Sequence, residues 1–129
     1  MNIDFEFVRN FLLAVEREAT DPVTPLTKEQ LGFIKIPDGL FGRQVTLFAR
    51  AGLLETINQK TELGSRYFAT RLTQAGRDFL DEIRDEKIWE RILSIHTEDV
   101  QTISLSVLIA LAQRVVELNR KKGQTDMEK

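Results

Sequence analysis

Arg43, Gln44, Thr46, Leu47 and Arg50 all fall in the stretch Asp38–Ala51, and on one side of it when that stretch is wound as a helix. These residue types can read a duplex. Arginine and glutamine each offer paired hydrogen bonds to a base edge, arginine favouring guanine and glutamine favouring adenine. Thr46 and Arg50 suit phosphate or base edges, and Leu47 suits a thymine methyl. Further on, Lys60 and Arg66 flank a polar loop, where cations would lie along a backbone or minor groove. The plainer alternative is that these are ordinary solvent-facing residues on a surface that meets a protein.

Other chemistries find less material. The chain has one histidine, His96, and no cysteine, so disulfides, Cys-ligated zinc, thiol chemistry and histidine-pair metal sites are excluded. Any catalytic triad would depend on His96 alone, which sits among polar residues near a helix end and suits a solvated or capping role. Asp78, Asp81, Glu82, Asp85 and Glu86 recur at helical spacing among Arg77, Arg84, Lys87 and Arg91, the pattern of a salt-bridged solvent face. Gly39-Leu40-Phe41-Gly42-Arg43 has two glycines but lacks the strand, lysine and hydroxyl of a phosphate loop. No catalytic residue, metal or cofactor is expected, and the protein is expected not to be an enzyme.

Charge gives mixed guidance. The whole chain carries −2, which argues mildly against a nucleic-acid binder. Between Thr27 and Thr73, seven basic residues meet four acidic ones, which leaves +3 there and −5 elsewhere. A mildly basic middle on an acidic scaffold is compatible with duplex contact, and is also what a solvated surface gives by chance. At 129 residues, 42% hydrophobic and 29% charged, the chain suits one domain able to bury a core. Its acidic start does not read as a signal peptide, and no window approaches the run of about 18 apolar residues that a membrane span needs. A cytoplasmic protein is expected.

The elements that must position these residues follow from periodicity and caps. Asp4 can cap a first helix whose Phe5, Val8, Phe11, Leu12 and Val15 share a face, ending near Glu18 before Pro22 and Pro25. Thr27-Lys28-Glu29-Gln30 matches a capping box for a short helix stopped at Gly32. Phe33-Ile34-Lys35-Ile36 alternates as a small strand would. A second long helix begins at Asp38, buries Phe41, Val45, Phe48 and Ala49, and ends at Gly52. Strands through Leu53–Ile57 and Tyr67–Leu72 then enclose a long polar tip, Asn58–Arg66. Thr73 caps the next helix, with Phe79, Leu80 and Ile83 inward, and the apolar phase slips near Asp85-Glu86, which predicts a break before Ile88, Trp89, Ile92 and Leu93.

The last helix, placed at about 102–121, is apolar nearly all round. Leu105, Leu108, Leu111, Ala112, Val115 and Leu118 are expected either as a central core helix or as the seam of a homodimer. A dimer would place two copies of the Asp38–Ala51 helix on successive half-sites of a duplex. Residues 122–129 read as a flexible tail, with the core at 4–96.

Two strings carry a resemblance. Ala51-Gly52-Leu53-Leu54-Glu55 resembles the end of the recognition helix in bacterial winged-helix regulators. Arg71-Leu72-Thr73-Gln74-Ala75-Gly76-Arg77 resembles the turn that leads out of the wing in the same proteins. The longer stretch from Leu72 to Asp85, with Trp89 after it, resembles an uncharacterised bacterial and phage family, domain of unknown function 2513. The resemblance extends to the N-terminal and C-terminal helices. Members commonly carry histidine in the recognition helix where this sequence has Gln44, and Arg77 is another departure. The resemblance implies a winged helix-turn-helix and a setting in bacteria, phages or mobile elements, and supplies no function. The expectation is therefore a mostly α domain with a small β-hairpin, a winged helix-turn-helix with an additional C-terminal helix. Double-stranded DNA is the expected partner of a small regulator, and a protein partner is the alternative.

Overall fold

The computed structural model describes residues 2–61, 64–95 and 102–127. In chain order the elements are β1 (Asn2–Asp4), α1 (Phe5–Glu18), α2 (Lys28–Leu31), α3 (Asp38–Arg50), β2 (Leu54–Thr61), β3 (Gly64–Leu72), α4 (Gln74–Arg84), α5 (Glu86–Ile95), β4 (Thr102–Ser104) and α6 (Leu105–Met127). It is a mostly helical fold with a two-stranded antiparallel hairpin, β2–β3, and a second antiparallel pair that joins β1 to β4.

Local signals set the helix ends. The Asp4 carboxylate accepts from the Phe7 N–H at 3.1 Å, satisfying one orphan donor at the start of α1. Thr27 and Gln30 form the reciprocal box that opens α2. At the end of α3, Gly52 takes φ +80°, its N–H reaches the Ala49 carbonyl, and the Leu53 N–H reaches the Phe48 carbonyl. That is a Schellman ending, and it needs a residue without Cβ at Gly52. Thr73 accepts from the Gly76 N–H at 3.0 Å to start α4. Its hydroxyl also donates to the Gly52 carbonyl, so one side chain ties the start of α4 to the end of α3. Thr73→Ala is expected to lower stability by about 1–2 kcal/mol, and Thr73→Ser to retain most of it, as read by urea denaturation.

The core lies where α1 crosses the rest. Phe11, Leu12, Val8 and Val15 of α1 are fully buried and meet Val45 and Phe48 of α3, with Leu80 and Ile83 of α4 in the same cluster. Phe11 stands at the centre of an aromatic group, with ring centroids 4.7 Å from Phe48 and 5.9 Å from Phe41. The expected break between α4 and α5 is present at Asp85. Its carboxylate accepts from the N–H groups of Lys87 and Ile88 and so caps α5, while Ile88, Trp89 and Ile92 turn inward. The Arg9 guanidinium lies over the Trp89 ring, 5.7 Å from its centroid, and donates to the Arg84 carbonyl at the end of α4. A cation there meets the negative end of a helix dipole.

The structure differs from the periodicity in several places. Phe33–Ile36 is a pair of turns and not a strand. Gly32, at φ +89°, reverses the chain, the Phe33 N–H bonds the Lys28 carbonyl and the Ile36 N–H bonds the Phe33 carbonyl. Only Phe33 and Ile36 pack on the core, while Ile34 is 67% exposed. The hairpin is longer than expected: pairing continues from Leu54↔Leu72 out to Thr61↔Gly64, so most of the supposed tip is ladder. Backbone hydrogen bonds extend it where polar side chains on both faces give no apolar alternation to detect. β1 and β4 give no sequence signal at three residues each. α6 begins after β4 and continues past the expected end at 121 to Met127.

Candidate nucleic-acid interface

α3 turns one face outward, and its position is fixed from behind by Phe41, Val45 and Phe48. The outward face holds Gly39, Gly42, Arg43, Thr46, Leu47 and Arg50, which line a cleft of about 810 Å³. The opposite side of the cleft is made by Tyr67 and Phe68 of β3, and one end by Thr27, Lys28 and Glu29 at the start of α2.

Of the residues expected to read a duplex, the structure brings Arg43, Thr46, Leu47 and Arg50 together. Arg43 and Arg50 are exposed and make no hydrogen bond or ion pair among the described residues. Seven residues apart, they stand about 10 Å apart along the helix axis. The Thr46 hydroxyl donates to the Gly42 carbonyl at 3.0 Å. Leu47 is half-buried and packs on the core. Gln44 is set apart from them: it is half-buried and its amide oxygen is enclosed without a hydrogen-bond partner. Lys60 is exposed on β2, and the pairs Asn58↔Tyr67 and Lys60↔Ser65 put it on the ribbon face that carries Tyr67. The Arg66 side chain, His96 and the tail beyond Met127 lie outside the described residues.

Sequence reasoning missed the role of Lys28. Its ammonium donates to the Ile36 carbonyl at 2.7 Å and meets the Asp38 carboxylate at 2.9 Å, with the side chain 15% exposed. One lysine thus joins the start of α2 to the start of α3 and neutralises the acid at the head of the outward face. The pairing spans ten residues and a turn, so no short motif announces it. Tyr67 and Phe68 were equally hidden, because β-alternation does not say which helix a ribbon will lean toward.

Elsewhere, the Arg71 guanidinium pairs with Glu55 directly across β2–β3, and its hydrogen bond holds the Glu55 carboxyl below its ordinary range. The acidic stripe of α4 is divided in its roles. Asp81 pairs with Arg84, Asp78 accepts from Gln74, Asp85 caps α5, and burial followed by the nearby Asp78 pushes the half-buried Glu82 carboxyl up. No group of three metal-ligating side chains occurs among the described residues. None of the described helices is long and apolar enough to cross a membrane.

The residues expected at a dimer seam separate too. Leu105, Leu108, Ala112 and Val115 are buried inside this one chain, where α6 packs on α4 and α5. Leu111 is half-buried, and Leu118 is 45% exposed. A helix apolar nearly all round has spent most of that surface on its own core.

A mostly helical domain with an antiparallel ribbon beside a cation-bearing helix is the class these observations define. Residues 2–104 match the family model described as "Hypothetical protein (DUF2513)", and the chain belongs to that family. The match runs from β1 through β4 and stops where α6 begins, so the expected extension over the C-terminal helix falls outside it. No curated protein and no solved structure matches the chain.

Proposed function

We propose that the protein is a winged helix-turn-helix that binds double-stranded DNA and acts as a small regulator by occupying a site. α2 and α3, joined by the turn at 32–37, take the place of the helix-turn-helix; β2–β3 is the wing. The Leu26 N–H bonds the Ala69 carbonyl at 2.8 Å, which ties the segment before α2 to the wing. The observation that carries the reading is the pair of guanidiniums without partners among the described residues, Arg43 and Arg50, on one outward helix face beside a ribbon bearing Lys60. Thr46 and Leu47 complete the face, while Gln44 takes no part in base reading as placed.

Fluorescence anisotropy with mixed duplexes tests this at about 50 mM salt. Affinity is expected to fall steeply as salt rises, with a slope that shrinks by about one for each of Arg43→Gln, Arg50→Gln and Lys60→Gln that removes a phosphate contact. No binding at micromolar protein would sink the reading.

Exposed apolar side chains favour one second reading. Leu40 at the first turn of α3, Ile34 in the turn before it and Tyr67 on β3 are large and solvent-facing. A protein partner meeting this same end of α3 would cover them. Its binding would respond weakly to salt, which separates the two. A homodimer through α6 would meet on what that helix leaves outward, Val107, Leu111 and Leu118.

A further inference from the structure

Gly39 and Gly42 stand on the cleft wall of α3, and neither position has a structural need for glycine. Positive φ among the described glycines is confined to Gly32, Gly52 and Gly64. A Cβ built on Gly39 or Gly42 would meet no heavy atom within 4 Å. Glycine within a helix is less stable than alanine, so neither packing nor backbone conformation accounts for the pair. Their effect is to bare the α3 backbone along the cleft and leave its volume open.

The surroundings of that volume are chemically one-sided. Phe41, Leu47 and the exposed ring of Tyr67 supply apolar surface. Arg43 and Arg50 supply two cations without partners among the described residues, against Glu29 as the one acid in the cleft in that condition, since Lys28 and Asp38 pair with each other. At about 810 Å³ the cleft lies within the range of small-ligand sites, roughly 300–1,000 Å³. Apolar walls with a few convergent polar groups are how such sites fix orientation.

We propose that this cleft is a binding site for an amphipathic organic anion. A flat apolar body would lie on the α3 backbone bared at Gly39 and Gly42, against Tyr67. Its acid group would be held by the guanidinium of Arg43 or Arg50, which form strong charge-assisted hydrogen bonds to carboxylate, sulfonate and phosphate oxygens.

Titration of the full chain with anilinonaphthalene sulfonate, a fluorescent aromatic anion, tests this. A saturable, one-site rise in emission is expected. The exposed double substitution Arg43→Gln/Arg50→Gln should weaken it by about tenfold or more. Gly42→Leu should abolish it by filling the cleft, while raising the midpoint of thermal unfolding, because leucine is the better helix former. Val107→Ser, which removes exposed apolar surface on α6, should leave it unchanged. No saturable rise, or one that the folded Gly42→Leu and double-arginine variants leave unchanged, would overturn the proposal. Duplex binding does not enter the experiment, so failure of the nucleic-acid reading and failure of this one are seen separately.

Discussion

Phe11→Ala is expected to lower stability by about 4 kcal/mol, measured as the shift in urea denaturation followed by circular dichroism. The residue is fully buried in α1 and its ring lies 4.7–6.1 Å from those of Phe7, Phe33, Phe41 and Phe48. Truncation removes the apolar transfer of a whole ring and leaves a cavity whose walls are held by three separate segments. α1, the turn after α2, and α3 cannot all collapse into it at once. Domains of this kind hold about 5–15 kcal/mol in total, so a loss of about 4 kcal/mol removes roughly a quarter to four-fifths of it. Phe11→Leu keeps most of the volume and should cost about 1–2 kcal/mol. A loss under about 1.5 kcal/mol for the alanine variant would mean that the aromatic group repacks freely, against the close packing described.

Adding a single methyl group at Gly76 should also be damaging. A Cβ there would stand 2.1 Å from the Leu53 carbonyl oxygen and 3.0 Å from its carbon. Both are backbone atoms and cannot step aside as a flexible side chain would. The same peptide is fixed from the other direction, because the Thr73 N–H bonds the Leu53 carbonyl and the Thr73 hydroxyl bonds the Gly52 carbonyl. Two effects oppose each other at Gly76→Ala. Alanine gains about 1 kcal/mol in helix propensity, and overpacking against backbone costs about 1–3 kcal/mol or more. A clash of this depth puts the steric effect well ahead, so a net loss of about 2 kcal/mol is expected. Thermal unfolding monitored by circular dichroism checks it. Alanine proving neutral or stabilising would mean that α4 does not dock on the end of α3 as described. The junction also sets the root of the ribbon against α3, so the same variant should weaken whatever the cleft and its arginines bind.

Both predictions concern contacts with very different visibility in the sequence. In the sequence Gly76 is only part of a string that resembles the exit of a wing, and no neighbouring residue gives a physical reason for it. Its reason is a carbonyl 23 residues earlier. Spacing alone assigns Phe11 to the core, but three of its aromatic neighbours, Phe33, Phe41 and Phe48, come from the turn after α2 and from α3, which spacing in α1 cannot name. Arg43 and Arg50 were read as sharing one outward face, and they do. Gln44, adjacent to Arg43, is read onto the same face and lies half-buried instead: 100° of helical rotation separates neighbours, and Gln44, three residues after Phe41 and four before Phe48, falls toward the buried stripe.

What the sequence determined by itself is therefore the set of features closed within about one helical turn. The Asp4, Thr27 and Thr73 caps, the Gly52 ending, the break at Asp85 and the buried stripes of α1, α3 (Phe41, Val45 and Phe48, with the expected Ala49 only half-buried) and α4 belong here, since each depends on residues no more than a few places apart. The tertiary structure alone decided the length of the β2–β3 ladder, the β1–β4 pairing, the Lys28–Asp38 link, and the internal burial of Leu105, Leu108, Ala112 and Val115. It also decided that the arginine face would border a cleft. The β1–β4 pairing, the Lys28–Asp38 link and the burial of α6 are choices between partners ten or more residues apart, settled by which surfaces leave water and which polar groups find partners, while the outer rungs of the ladder are close in sequence but carry no apolar alternation to mark them. No local pattern encodes that competition.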